Sequence, residues 1–541
     1  MRSGLLLLMV AAMIAAGCRT VSYQTADSAA VEPAVFSCAE LALAAGLAHF
    51  LQGRLIEEEH GQGSPLALPY YRVAAQRVPG SHVVHSRIAV EALHRADVQD
   101  AVAAMEASYA AATNDPVRQV DLAALYQLAN RPDEAAVLFE QSLVGNPTNT
   151  AVYIALSNRY FTRGDAPEAL DLLERGFAAV PESEALTKYL YQQAHHFVGS
   201  GALDQAIGCF ALLARWNEEG RAEIQYVIGE LQLAQQRIDA AMQTLHDTIK
   251  LPHAPAAAFL RLGVLLLEEQ RPEEAGSVFR DGRMQYPELA SFPFALGGIY
   301  AEDGQYEDAL EAYEDAMRIS QEAQHAPKID DRQLKLERQN MLIAMAYAQE
   351  KLARYTDAAE TLRQVLAAFP DNHVAMNFLA YMWAELDTNL DEAYALSKRS
   401  LEMQPGNGAY LDTLGWIYYR KGNFEEALVY LEQAREQLGE DPEIILHFGD
   451  VYAAKGDQEV ALQYWQKSLT ADPTPDNRAW QQLEQAGIDP EAWLQKQHQT
   501  DEAVGLDGAS DDTTAPEPDE SPAPHSDSPD ETMQTDPEEE K

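Results

Sequence analysis

The stretch LDTLGWIYYRKGNFEEALVYLEQA, residues 411–434, holds two helical patterns joined by a short polar turn. Leu411, Leu414 and Tyr418 recur at helical spacing in the first, and Ala427 and Leu431 in the second. Gly422-Asn423 supplies the turn between them. Gly415 and Ala427 stand where the two helices must approach, since a small residue on each side lets the backbones come close. One tryptophan and three tyrosines remain to be placed as packing or as recognition.

The same pattern runs along the chain. An alanine followed four residues later by a bulky side chain occurs at Ala67, Ala101, Ala135, Ala169, Ala206, Ala241, Ala275, Ala309, Ala358, Ala427 and Ala461, and Ala393 holds the same place in the series with Ser397 after it. Most steps are 34 or 35 residues, and the longer steps at 169–206 and 309–358 mark insertions. Twelve residues before most of these alanines sits another small residue, as at Ala89, Ala123, Ser157, Gly263 and Gly449. Ala380 fits if its turn is one residue longer. Proline often follows twelve residues after, as at Pro147, Pro181 and Pro405, and ends one unit before the next begins.

On these residues the chain is identified as a member of the tetratricopeptide-repeat (TPR) family. The resemblance implies an all-α, right-handed α-solenoid of about twelve helix-turn-helix hairpins over residues 38–474, with a polar insertion at about 321–338. A single hairpin cannot bury both of its apolar faces, so stability comes from stacking on neighbours. Repeat one carries a long turn, EEEHGQGSPLAL, between its helices. Residues 475–498 read as a terminal cap in which Trp480 and Trp493 cover the last hairpin.

The ends of the chain differ from the array. MRSGLLLLMVAAMIAAGC opens with Arg2, an apolar run from Leu5 to Ile14, and small residues before Cys18. That run is too short for an ordinary transmembrane helix and reads as an export signal. The small residues before the cysteine resemble a bacterial lipobox. The resemblance implies a signal peptide at 1–17, a lipidated Cys18 and a flexible tether over 18–37. Because Arg19 is not the aspartate that retains such proteins at the inner membrane, it implies an outer-membrane lipoprotein facing the periplasm. Residues 499–541 are acidic and proline-rich, with fifteen acids against one lysine from 501 onward, which predicts disorder.

Net charge is −46, which argues against nucleic acid and against electrostatic adhesion to anionic lipid. No phosphate loop, dinucleotide fingerprint, nucleophile elbow or HExxH is present. His195 and His196 point about 100° apart on a helix, so they do not converge on one metal. Cys38 and Cys209 read as single thiols in helices. No catalytic residue, metal site, cofactor or small-molecule substrate is expected.

By the TPR resemblance, the first helix of each hairpin faces a concave surface, and its groove positions differ from its packing positions. In this register the protein-binding groove comprises Tyr191, Tyr226, Glu230, Phe294, Tyr347, Asn377, Tyr381, Asp412, Trp416, Tyr419 and Arg420. Aromatic anchors among acids suit an extended or helical peptide. The carboxylate clamp of chaperone-binding members is not matched, since Ile154 precedes Asn158 and Tyr226 precedes Glu230. The C-terminal half is similar to large TPR lipoproteins of bacterial outer membranes. The similarity implies a non-catalytic adaptor that binds envelope proteins or peptides and brings a periplasmic hydrolase to substrates. The alternative is an assembly factor for a secretion, pilus or polysaccharide-export machine. Contact with the membrane is expected through the lipid anchor alone.

Overall fold

The computed structural model describes residues 38–323 and 331–497. The signal, Cys18, the tether and the acidic tail lie outside the described residues. Among the described residues every regular element is a helix, and the chain divides into two units at Pro287.

The first unit is a row of seven hairpins. Its helices are α1 (Cys38–His60), α2 (Leu68–Arg77), α3 (His82–His94), α4 (Val98–Ala110), α5 (Pro116–Leu128), α6 (Pro132–Gly145), α7 (Thr150–Arg163), α8 (Ala166–Ala179), α9 (Glu184–Gly199), α10 (Leu203–Trp216), α11 (Arg221–Ala234), α12 (Ile238–Thr248), α13 (Ala256–Glu268) and α14 (Pro272–Gln285). The second unit has five more and a cap. These are α15 (Ser291–Glu302), α16 (Tyr306–Ala323), α17 (Asp331–Lys351), α18 (Tyr355–Ala368), α19 (His373–Glu385), α20 (Leu390–Met403), α21 (Gly408–Arg420), α22 (Phe424–Leu438), α23 (Pro442–Ala454), α24 (Gln458–Ala471) and α25 (Arg478–Gln485). Within each hairpin the two helices pack on one another, as the solenoid reading requires. The odd-numbered helices up to α23 are the first, or A, helices of their hairpins.

The alanine register is the hinge of this packing. All twelve alanines are 1% exposed or less. The small residue opposite each is equally constrained. A methyl added at Gly263 would lie 2.1 Å from the Phe279 ring, and one at Gly449 would lie 2.4 Å from Trp465. Phe279 and Trp465 are the bulky residues four after Ala275 and Ala461. In these two hairpins the aromatic leaves no room for a side chain across from it.

The turns obey the same register. Five residues before the alanine the backbone turns left-handed, whether the residue is Gly422 at φ +76° or Gln270 at φ +57°. The hairpin of Ala380 has the longer turn its spacing requires, with Asp387 and Asn389 both at positive φ.

One detail differs from the sequence reading. The expected long turn of repeat one is shorter, because Glu57 to His60 form the last turn of α1. Glu57 is held in the helix by burial against Arg87, whose Nε donates to it at 2.7 Å. The polar stretch 321–338 is helical in its described parts. It lengthens α16 to Ala323 and starts α17 at Asp331.

The last hairpin is covered by α25 and a further helical run at 490–497. Trp480 and Trp493 are half-buried there against Leu446, Trp465 and Leu483. Cys209 is buried and free, and burial pushes its thiol up to about 12, so it is inert. None of the described helices is long and apolar enough to cross a membrane.

Candidate protein-binding site

The A helices α19, α21 and α23 touch in series within the second unit, and their shared face carries an interlocked polar and aromatic cluster. Its centre is Trp416, only 2% exposed. One face of the indole stacks on His447 with ring centres 4.1 Å apart, and Tyr419 stacks on it at 4.5 Å. Arg478 of the cap lies over the same indole at 5.2 Å.

Around this stack the charges are paired. His447 Nδ1 is 2.8 Å from Asp412 Oδ1, with the imidazole fully buried. Burial opposes its charge, but the Asp412 carboxylate outweighs burial and raises its pKa above the ordinary value. Arg478 Nη1 donates to both oxygens of Glu385 at 3.0 Å, and its Nη2 donates to Asp450 at 3.2 Å. Asp450 is itself buried, which pushes its carboxyl upward, and it accepts from Trp465 Nε1 at 2.9 Å. The Tyr381 hydroxyl donates to Glu443, and burial beside that carboxylate raises the phenol's pKa. Four buried polar atoms here have no hydrogen-bond partner: Asn377 Oδ1, Trp416 Nε1, Arg420 Nε and His447 Nε2.

The structure treats the sequence-read groove positions unequally. Trp416 and Asp412 do not line an open groove. They are buried, because His447 and Arg478 from later elements cover them. Tyr381 and Tyr419 are half-buried at the rim, and Arg420 reaches Asp387 at 3.6 Å. Asn377 is half-buried on α19. Phe294 packs on Tyr313, at 5.6 Å, within its own hairpin. Tyr347 is the open one, 42% exposed, with Lys351 Nζ 5.3 Å from its ring centre. Tyr191, Tyr226 and Glu230 belong to the first unit. Tyr191 stacks on His195 and meets the edge of Phe210; Tyr226 is half-buried; Glu230 pairs with Arg261 at 3.1 Å.

Sequence reasoning missed His447, Asp450, Glu385 and Arg478. One signal was present. Asn377 and Asp412 are 35 residues apart, and a further step of 35 lands on His447. For Arg478 there was none, since the cap lies outside the repeat register.

A second polar cluster lies in the first unit. Glu57 and Glu91 are 4% and 1% exposed, with Arg87 bonded to Glu57 and the Gly63 N–H donating to Glu91 at 3.3 Å. Burial first, and the neighbouring Glu57 next, push the Glu91 carboxyl up to about 7. The open clefts lie elsewhere. One of about 740 Å³ is lined by α12, α13 and α14, including His246, Phe259 and Met284.

Comparison with known proteins agrees with this architecture. Models of the tetratricopeptide repeat match residues 128–193, 191–255, 294–327, 343–408 and 408–441. The chain is 28% identical over 194 residues to the TPR repeat-containing protein PA4667 of Pseudomonas aeruginosa. That match takes in 36% of this chain and 30% of the relative's length. Among solved structures, yeast Tom70 is similar at 14% identity and TM-score 0.31, over 86% of this chain and 99% of that one. The Cut9–Hcn1 hetero-tetramer of the APC/C is similar at 14% identity and TM-score 0.36, over 78% and 99%. With hairpins in register, alanines buried at every step and repeat models matching both units, the chain is a tetratricopeptide-repeat protein.

Proposed function

We propose that this protein is a non-catalytic scaffold that binds other proteins along its A helices, and that it does so from a lipid anchor in the bacterial envelope. TPR arrays are protein-interaction scaffolds, and the A-helix face here has the chemistry of one. The observation that carries the reading is Tyr347, a large aromatic left 42% exposed on α17 beside Lys351. Rings held open on a rigid helix are typical interface anchors. The anchor reading rests on the lipobox-like residues before Cys18, and the envelope role on the resemblance to outer-membrane TPR lipoproteins. Within that setting the client is a periplasmic hydrolase or its substrate.

The test is a photo-crosslinking residue at position 347 in the full chain, expressed in a diderm bacterium. Capture of a discrete envelope protein supports the reading, and no adduct across growth conditions overturns it. In parallel, Cys18→Ala should move the protein from the membrane fraction to the soluble periplasm. Unchanged membrane association would overturn the anchor.

A further inference from the structure

The cap places an arginine in a site built for one. Two carboxylates and an indole face receive the Arg478 guanidinium: Glu385 with both oxygens, Asp450 with one, and Trp416 beneath. This suits a planar fork that donates in two directions while stacking, which a lysine ammonium does not reproduce. The floor is buried with the cap in place. Asp450 is 4% exposed, Trp416 2% and His447 0%. Trp416 Nε1 and His447 Nε2 are buried with no hydrogen-bond partner.

The occupant is held less firmly than the floor. The Arg478 side chain is 37% exposed. It begins an eight-residue helix that fully buries only Ala479 and Leu483. Terminal elements with few buried apolar side chains open first in native proteins. The pocket is therefore reachable from solvent while its own arginine can leave.

We propose that this pocket is a receptor for an arginine of a partner protein, kept occupied by the chain's own cap until a basic segment flanked by aromatics displaces it. The proposal rests on the scaffold reading and names the chemistry of the partner. A tethered arginine competes at an effective concentration on the order of millimolar. One arginine alone does not displace it, so the partner needs flanking contacts, and the half-buried Tyr381 and Tyr419 rings at the rim supply aromatic neighbours. The net charge of −46 favours encounter with a basic segment.

The experiment uses the full chain and an acetylated, amidated peptide with one arginine between two phenylalanines, with its citrulline counterpart as control. Arg478→Ala should bind the arginine peptide at least about ten-fold more tightly than the wild type, because the competitor is gone. Adding Glu385→Gln should remove that gain. In the wild type, saturating arginine peptide should speed amide exchange over residues 479–485. If Arg478→Ala loosens the cap, the pocket is still vacated and the expected gain stands. Equal affinity of Arg478→Ala for the arginine and citrulline peptides overturns the inference, as does no gain over the wild type. Should the peptides fail while crosslinks from position 347 capture a client, this inference falls and the scaffold reading stands.

Discussion

The indole of Trp416 lies 4.1 Å from the imidazole of His447, with the two rings within 15° of parallel. Two successive A helices are thus joined by an aromatic stack, and Asp412 fixes the imidazole from the side. The tryptophan is part of the inner packing of α21 and α23, and the exposed ring among the sequence-read groove positions lies elsewhere, at Tyr347.

Trp416→Ala should therefore act on stability. Removing a fully buried tryptophan costs about 3–5 kcal/mol, read as a shift in the urea midpoint of the second unit. Tyr347→Ala should change stability by no more than about 0.5 kcal/mol, as for other exposed positions, and should weaken client capture. The assignment fails if Trp416→Ala unfolds with the wild-type midpoint.

His447 gives the second unit a pH dependence. Its pKa in the folded chain is raised above the ordinary 6.5, with Asp412 and Glu443 favouring the charged ring and burial and Arg478 opposing it. Folding therefore favours the protonated ring. This contribution is complete below pH 6.5 and is lost as pH rises through the higher folded value. Urea unfolding followed by tryptophan fluorescence should show stability falling from pH 6 upward. Asp412→Asn should flatten that slope, whatever its effect on the absolute midpoint. A slope equal to that of the wild type would refute the coupling.

Glu91 behaves similarly at the other end. Its carboxyl moves from 4.5 to about 7, so the folded state favours the protonated form. That stabilisation is complete below pH 4.5 and is lost as pH rises through 7. Glu57 is shifted the opposite way and contributes above 4.5, losing its effect only on acidification. Glu91→Gln keeps a neutral amide beside Glu57. It should raise the urea midpoint at pH 8 and leave it little changed at pH 5. An equal change at both pH values would show that the carboxyl does not titrate in this window.

The packing register makes a paired prediction at two glycines. A methyl at Gly263 meets Phe279 at 2.1 Å, whereas one at Gly298 on α15 meets nothing within 4 Å. Gly263→Ala should destabilise by about 1–3 kcal/mol through overpacking. Gly298→Ala should stabilise by up to about 1 kcal/mol through helix propensity. Thermal melts of the two variants should move in opposite directions. Parallel shifts would mean that the register does not set helix approach.

Much of the fold was legible in the sequence because its determinants are local and repeated. A small residue, a turn and an alanine followed by a bulky side chain specify one hairpin, and recurrence fixes the number and order of hairpins. The left-handed turn position follows from the same count, so Gln270 occupies it as surely as Gly422. The register also placed Asp412, Trp416 and Tyr419 on one side of α21.

The sequence by itself did not determine which of those side chains stay open. Helical spacing says which way a side chain points from its own helix, not what a later helix lays over it. Trp416 is closed by His447, 31 residues on, and by Arg478 from a cap that follows no repeat. Glu385 meets Arg478 across 93 residues. Burial of a groove position is a property of elements brought together in space, so the tertiary structure alone turned a read recognition residue into a packed one.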